Sequence, residues 1–460
     1  MAAAIPPKSA ASHPNLILAT TILASSLAFI DGSVVNVGLP AIRASFGVEG
    51  ALLQWIINGY LLPLSALLLL GGAVGDRFGR ARLLVLGILI FTFASMLCAA
   101  SQSISWLIFG RVVQGIGAAI LLPNSLAILA DAFAGAQRGR AIGVWAAAAA
   151  IVGAVGPVLG GWLIDTVGWR AIFLLNIPLA IAAIVLTFLF IKDSQSGSIG
   201  VRLDTFGGVL ATVGLGALTW ALTMGAGREG WTFPAFIAFA VGGLAMFAFV
   251  WFESKQGERA MMPLTLFGSK MFVGLTLLTF FLYGALGGLM VLLPYVLIES
   301  EYHYSGTAAG AALLPFPLVI ALGSPAMGWL ADRIGPRWPL TVGSAVAAAG
   351  YCLMLRIDGA GSYWTAVFPA VLVVSIGMAM AVAPLTNAVL ASVDAAHTGS
   401  ASGFNSAVSR VGGLIATALL GASLGTSGQE LIVSSHAAAL IGTGMAAVAS
   451  ASAFLLVRDQ

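Results

Sequence analysis

Charge is scarce in this chain: only 8% of its 460 residues are Asp, Glu, Lys or Arg. Soluble domains carry about 25% charged residues, so a soluble globular protein of this length is excluded. Cysteine is nearly absent. Cys98 and Cys352 both fall inside apolar runs, where buried free thiols are the expected state, and neither a disulfide nor redox chemistry is indicated. The four histidines, His13, His303, His397 and His436, stand far apart in loops or at the ends of apolar runs, and none has the spacing of a metal site. No Ser/His/Asp or Cys/His grouping, paired carboxylates or phosphate-binding loop occurs inside the apolar runs, which argues against an enzyme and against ATP as the energy source. A net charge of +3, scattered along the chain, gives no basic patch for nucleic acid.

What fills the chain instead is apolar: 60% of residues are hydrophobic and the mean hydropathy is +1.03. Crossing roughly 30 Å of hydrocarbon takes about 20 helical residues. Fourteen stretches qualify, over 15–38, 52–73, 82–100, 105–129, 140–164, 170–191, 205–225, 232–252, 271–294, 306–330, 339–356, 363–386, 400–424 and 436–456. All are predicted helices, because lipid leaves backbone groups no partner but their own segment and the strict alternation of a barrel is missing. The fold class is therefore an all-α integral membrane protein. Residues 1–14 are polar and lack a small-residue cleavage site, so a removable signal peptide is not expected.

An even number of spans puts both termini on one side. Fourteen basic residues, Lys8, Arg77, Arg80, Arg82, Arg138, Arg140, Lys192, Arg202, Lys255, Arg259, Lys270, Arg333, Arg337 and Arg458, fall on that side, against Arg43, Arg170, Arg228 and Arg356 opposite. The excess predicts cytoplasmic termini. A repeat then divides the chain. Gly72, Asp76, Arg77, Gly79 and Arg80, between spans two and three, return 256 residues later as Gly328, Asp332, Arg333, Gly335 and Pro336, followed by Arg337, between spans ten and eleven. Duplicated halves imply a transporter built from two similar bundles, with residues 1–192 forming six helices, 193–260 an inserted pair with its connectors, and 261–460 six more.

Two charges lie inside spans. A carboxylate such as Asp31 costs at least a few kcal/mol in hydrocarbon and is suited to binding a proton or a cation, though it can also serve as a structural acceptor for facing helix ends. Arg111 can hold a carboxylate, backbone carbonyls or a water chain, or can snorkel to the nearby interface. The two hinges read as a gate: their glycines permit tight turns, and Arg77, Arg80, Arg333 and Arg337 can pair with acids of the other bundle, although topology alone would also explain them. In span five, Gly153, Gly156, Pro157, Gly160 and Gly161 put small residues on one face and a bend where the bundles would meet. Candidate cavity residues are Gln54, Trp55, Asn58 and Tyr60 in span two, Asn124 in span four, Tyr283 and Met290 in span nine, and Asn387 near the end of span twelve, with packing as the plain alternative for each.

Across nearly the whole chain these motifs resemble the major facilitator superfamily. Residues Gly72 to Arg82 resemble its loop between helices two and three, Arg111 with Gln114, Gly115 and Gly117 its fourth-helix motif, and Gly156, Pro157, Gly160 and Gly161 the antiporter motif of helix five. Asp31 with Asn36 and Pro40, Trp169 and Arg170 with Asn176 and Pro178, and Gly399 and Gly403 leading to Ser409, Arg410 and Gly413 are similar to its fourteen-helix drug:proton antiporter branch. The resemblance implies two six-helix bundles plus two inserted helices. It also implies export of lipophilic, often cationic compounds in exchange for protons, with Asp31 and Arg111 in proton coupling and no cofactor. Membrane lipid, a small lipophilic substrate and protons are then the partners, and a bacterial inner membrane the setting. Relatives that export many drugs often carry acids within second-half helices; here there are none, which favours the alternative of an exporter dedicated to one metabolite. A non-transporting sensor or structural protein on the same fold is the third reading, and no soluble signalling module supports it.

Overall fold

The structure is a computed structural model that describes residues 13–458 except 49, 134, 192–203, 227–228, 257–263, 359–360, 394–397, 421–422 and 425. Lys8, Lys192, Arg202, Arg228, Arg259 and His397 of the sequence reading, and much of the two predicted connectors, lie outside the described residues. The described chain is helical. In order it forms α1 (Pro14–Phe46), α2 (Ala51–Phe78), α3 (Arg80–Ala99), α4 (Ile104–Ala132), α5 (Gly135–Thr166), α6 (Ala171–Leu174), α7 (Asn176–Phe190), α8 (Thr205–Gly225) and α9 (Phe233–Gln256). There follow α10 (Lys270–Glu299), α11 (Gly306–Ala311), α12 (Pro315–Ile334), α13 (Arg337–Leu353), α14 (Phe368–Ala391), α15 (Thr398–Ala418) and α16 (Gly428–Leu456). Side-chain caps set several starts: Ser103 accepts from the Trp106 amide, Asp204 from Gly207, Ser269 from Phe272 and Ser305 from Ala308, each satisfying a donor that the first turn leaves free.

Twelve helical rods among the described residues are long and apolar enough to cross a membrane, and thirteen with α2, which bends by 54° between residues 52–68 and 70–78. The thirteenth predicted span, 400–424, is where expectation and structure part. The chain there is helical as α15, but Asn405, Ser406, Ser409 and Arg410 interrupt the apolar run. Part of this polarity turns to the protein interior rather than to lipid: Asn405 accepts from Thr279 of α10 at 2.6 Å, and Ser409 and Arg410 line a space between the halves.

Glycine decides how closely the helices approach. A Cβ on Gly87 of α3 would meet the Gly117 carbonyl of α4 at 3.0 Å, and one on Gly343 of α13 would meet the Gly377 carbonyl of α14 at 2.8 Å. Gly87 and Gly343 stand the same 256 residues apart as the hinge repeat, so the duplication extends from motif to packing. Each hinge closes on a glycine with positive φ, 104° at Gly79 and 85° at Gly335, a conformation that side chains resist. The α8–α9 pair packs on itself through Gly214 against Met246 and Gly242 against Leu218, and α8 leans on α2 where Gly208 meets Leu70 and Gly216 meets Leu62.

Side contacts orient the bundle. His13 touches Phe190, Gly274 packs on Leu456, and Arg43 near the end of α1 pairs with Glu299 at the end of α10 at 2.8 Å. The starts of α1 and α10 and the end of α16 therefore share one face, the termini face. At the opposite face the halves are tied together. Besides Arg43–Glu299, Asp165 at the end of α5 accepts from the amides of Gly306 and Thr307, both at 2.9 Å, and from the Thr307 hydroxyl at 2.6 Å.

Candidate functional site: a buried ion pair beside a central cavity

Asp31 and Arg111 are brought together, as a buried pair. They are 2% and 1% exposed, and Nη1 of Arg111 donates to Oδ2 of Asp31. Residues 104 to 111 carry α4 two turns inward, which places the guanidinium at the level of Asp31 in the middle of α1. Arg111 Nε donates to the Ile56 carbonyl at 2.9 Å and Nη1 to Gln114 Oε1 at 2.7 Å. The Tyr60 ring lies 4.4 Å from the guanidinium carbon, a distance at which the ring face attracts the cation.

Gln114 completes the carboxylate's shell and was not among the candidates. Its Nε2 donates to Asp31 Oδ1 at 2.7 Å and to Ser95 Oγ at 2.9 Å. Asn176 Nδ2 donates to Ser95 Oγ at 3.2 Å and to Asp31 Oδ1 at 3.5 Å. A signal existed for both. Gln114 stands three residues after Arg111, on the same helical face, and Asn176 sits in the motif that follows Trp169. Donors from α4 and α7 thus converge on the α1 carboxylate, Ser95 of α3 holds both amides in place, and each oxygen of Asp31 is engaged.

That space is a cavity of about 300 Å³ between the halves. Gly32, Val35 and Asn36 of α1, Ile57, Tyr60 and Leu61 of α2, and Arg111 of α4 line one side; Tyr283, Leu286, Gly287, Met290 and Val291 of α10 and Ser409, Arg410, Gly413 and Thr417 of α15 line the other. Of the candidate cavity residues, Tyr60, Tyr283 and Met290 are placed on this wall. The others are corrected. Gln54 is buried and donates to the Thr417 carbonyl at 3.0 Å, a tie between the halves; Asn58, about 200° round α2 from Tyr60, is buried away from the cavity. Asn124 donates to the carbonyls of Gly71 and Ile120 and clips α4 to α2, while Trp55 is half-buried and Asn387 exposed, both off the cavity wall. Arg410 was overlooked as an intramembrane charge, although it stands in the middle of a predicted span.

The hinge residues each make their contacts within their own half. Arg80 pairs with Asp76 at 2.7 Å and with Asp131 of α4 at 2.5 Å, so in this conformation it binds the end of α4 and no acid of the other bundle. Arg333 lies over Trp329 at 3.9 Å, and Arg337 donates to the Phe454 carbonyl at 3.0 Å. Arg77 lies over Phe78 at 5.4 Å. A Cβ on Gly72 would touch Pro123 at 3.4 Å. The helix-five motif divides between two partners. Gly156 and Gly160 face Ser33 and Val34 of α1, whereas Gly161 faces the Gly306 carbonyl, where a Cβ would sit 2.1 Å away, and the Pro157 carbonyl abuts Gly310 of α11. The motif is therefore a contact between the halves as well as within one.

Comparison with known proteins agrees with this architecture. The Major Facilitator Superfamily model matches residues 21–275 and 275–460. The chain is 34% identical to the multidrug resistance protein Stp of Mycobacterium tuberculosis (strain CDC 1551 / Oshkosh), covering 89% of this chain and 75% of that one. It is 33% identical to the cephamycin export protein CmcT of Amycolatopsis lactamdurans, over 93% of this chain and 89% of that one, and 32% identical to the methylenomycin A resistance protein of Bacillus subtilis (strain 168), over 88% and 86%. Among solved structures, a D-xylose-proton symporter superposes with a TM-score of 0.71 at 15% identity, covering 97% of this chain and 99% of that one; this likeness is one of fold. With its apolar helices, its duplicated hinge and its matched relatives, this chain belongs to the Major Facilitator Superfamily and is a multi-pass membrane transporter.

Proposed function

We propose that the protein is a proton-coupled antiporter that exports lipophilic compounds across a bacterial inner membrane by alternating access. Both termini face the cytoplasm, and residues 1–192 and 261–460 rock about the cavity with the inserted pair, 193–260, alongside. One observation carries the reading: the buried Asp31–Arg111 pair at the cavity wall. A proton on Asp31 removes the charge that holds Arg111, and the released guanidinium turns into the space that cargo would occupy. Proton and cargo are then bound in alternation, and each weakens the other's hold. The structure with its ties at the face opposite the termini corresponds to the state shut on the outside. Export is named for three relatives or implied by their resistance titles, which supports the direction of transport.

The test is reconstitution in liposomes with an imposed pH gradient, following a fluorescent lipophilic compound and internal pH together. Opposed movement of compound and protons, lost in Asp31→Asn while that variant remains folded, is expected. Normal proton-driven export by Asp31→Asn sinks the coupling assignment. The lack of acids within the apolar runs predicted for the second half favours a narrow cargo range as the second reading, which a substrate panel in the same liposomes decides.

A further inference from the structure

Arg410 projects from α15 into the cavity wall beside Ser409, across from Arg111 and Tyr60. Among the described residues no carboxylate pairs with it. Asp31 cannot compensate it from the cavity, because that carboxylate is 2% exposed and its oxygens are engaged by Arg111, Gln114 and Asn176. A cargo entering the cavity therefore meets the guanidinium of Arg410 and, across from it, that of Arg111 already held by Asp31, with no available acid. The remaining wall is mostly aromatic, aliphatic and Met-lined, with Asn36, Ser409 and Thr417 as its uncharged polar side chains, and is suited to a lipophilic body of drug size.

We propose that Arg410 determines the specificity of the cavity: it rejects lipophilic cations and anchors cargo through a carbonyl or carboxylate oxygen. A guanidinium presents donors in a planar fork and no acceptor, so a ligand oxygen satisfies it while an ammonium meets like charge. In a partly hydrated site two like charges several ångströms apart repel by about 1–2 kcal/mol at an effective dielectric near that of a protein surface, which is a discrimination of about tenfold. The inference rests on the export reading for its biological sense, but its geometry stands on the cavity alone. It reverses the cationic preference implied by family resemblance, and it gives the missing second-half acids a physical counterpart.

The test uses the full-length protein in detergent and three probes on one anthracene body, bearing a methyl ester, a carboxylate or a trimethylammonium group. Equilibrium binding is measured for wild type, Arg410→Gln and Arg410→Lys. The ester and the carboxylate are expected to bind wild type at least tenfold more tightly than the ammonium probe. Arg410→Gln is expected to erase that gap, and Arg410→Lys to keep the rejection of the ammonium probe while weakening the ester. A stronger ester than carboxylate identifies an uncharged cargo oxygen, and the reverse order an acid; both uphold the proposal. Ammonium binding equal to the ester in wild type, or an unchanged ranking in Arg410→Gln, overturns it, and the wild-type ranking decides even where a variant does not fold. The same probes in liposomes separate this from the antiport reading. An intact ranking without proton-driven movement sinks antiport alone, whereas proton-driven export of the ammonium probe with no ranking sinks the role of Arg410 alone.

Discussion

Asp31 is stable in the middle of the bundle only because its oxygens are met. Arg111 supplies the charge, Gln114 and Asn176 the further donors, and Tyr60 a ring face for the guanidinium. Removing one member of a buried pair strands the other, at a cost of about 3–5 kcal/mol. Arg111→Gln is therefore expected to lower the amount of folded protein and its melting temperature clearly, as read in a thermal unfolding assay. Arg111→Lys keeps the charge but loses the planar fork that reaches Asp31, Gln114 and the Ile56 carbonyl together; coupled export is expected to fall at least tenfold with the fold retained. Wild-type export rates in Arg111→Lys liposomes would contradict the role given to the fork. Asp31 and Arg111 were both legible in the sequence, since a charge in a long apolar run stands out. Gln114 and Asn176 were not, because an uncharged amide is common in such runs and only its neighbours show its use.

At the scale of helices, small residues set the distances. Gly71 and Gly75 of α2 both face α4, but they meet different things: a Cβ on Gly71 would lie 2.1 Å from the Ala119 carbonyl, and one on Gly75 would lie 1.6 Å from the Asn124 side chain. Backbone cannot step aside within a helix, whereas a side chain can be shortened. Gly71→Ala and Gly75→Ala are both expected to lower the melting temperature. Adding Asn124→Ala is expected to restore most of the loss in Gly75→Ala and none in Gly71→Ala, and equal behaviour of the two double variants would show that α2 and α4 can separate freely. The sequence placed all of these helices, because apolar length is a local property. It did not place Asn124, which reads as a polar residue available to a cavity and proves to be a clip between α4 and α2. Nor did it show that α15 falls short of the apolar length of the other spans: its helix was predicted, and its polar stripe is tolerated by contacts supplied from α10, where Thr279 donates to Asn405 at 2.6 Å.

For the whole molecule the question is what keeps one face shut. Arg43–Glu299, Asp165 on the start of α11, Gln54 on Thr417 and the Gly161–Gly306 contact all join the halves away from the termini face. Replacing Asp165 by Ala removes three hydrogen bonds from that seal at once and is expected to shift the protein toward the state open on that face. With Cys352 replaced by Ser and a cysteine at Thr417, labelling by an impermeant maleimide added outside intact cells is expected to rise several-fold on Asp165→Ala. Unchanged labelling would remove Asp165 from the seal. Asp165 carried no weight in the sequence, where it stands at the end of an apolar run like many interfacial acids.

Hydropathy, the 256-residue repeat and the motifs determined by themselves that the chain is a helical membrane protein with two related halves, and they singled out Asp31, Arg111 and the helix-five glycines. These are properties carried by neighbouring residues or by a fixed spacing, so no partner helix is needed to read them. The tertiary structure decided that Arg80 binds Asp76 and Asp131 within its own half, that Gln54, Asn58 and Asn124 face other helices, and that Arg410 reaches the cavity without an acid. Which way a side chain turns depends on the rotation of its helix against helices far away in sequence, and that rotation is set by the packing of the whole bundle.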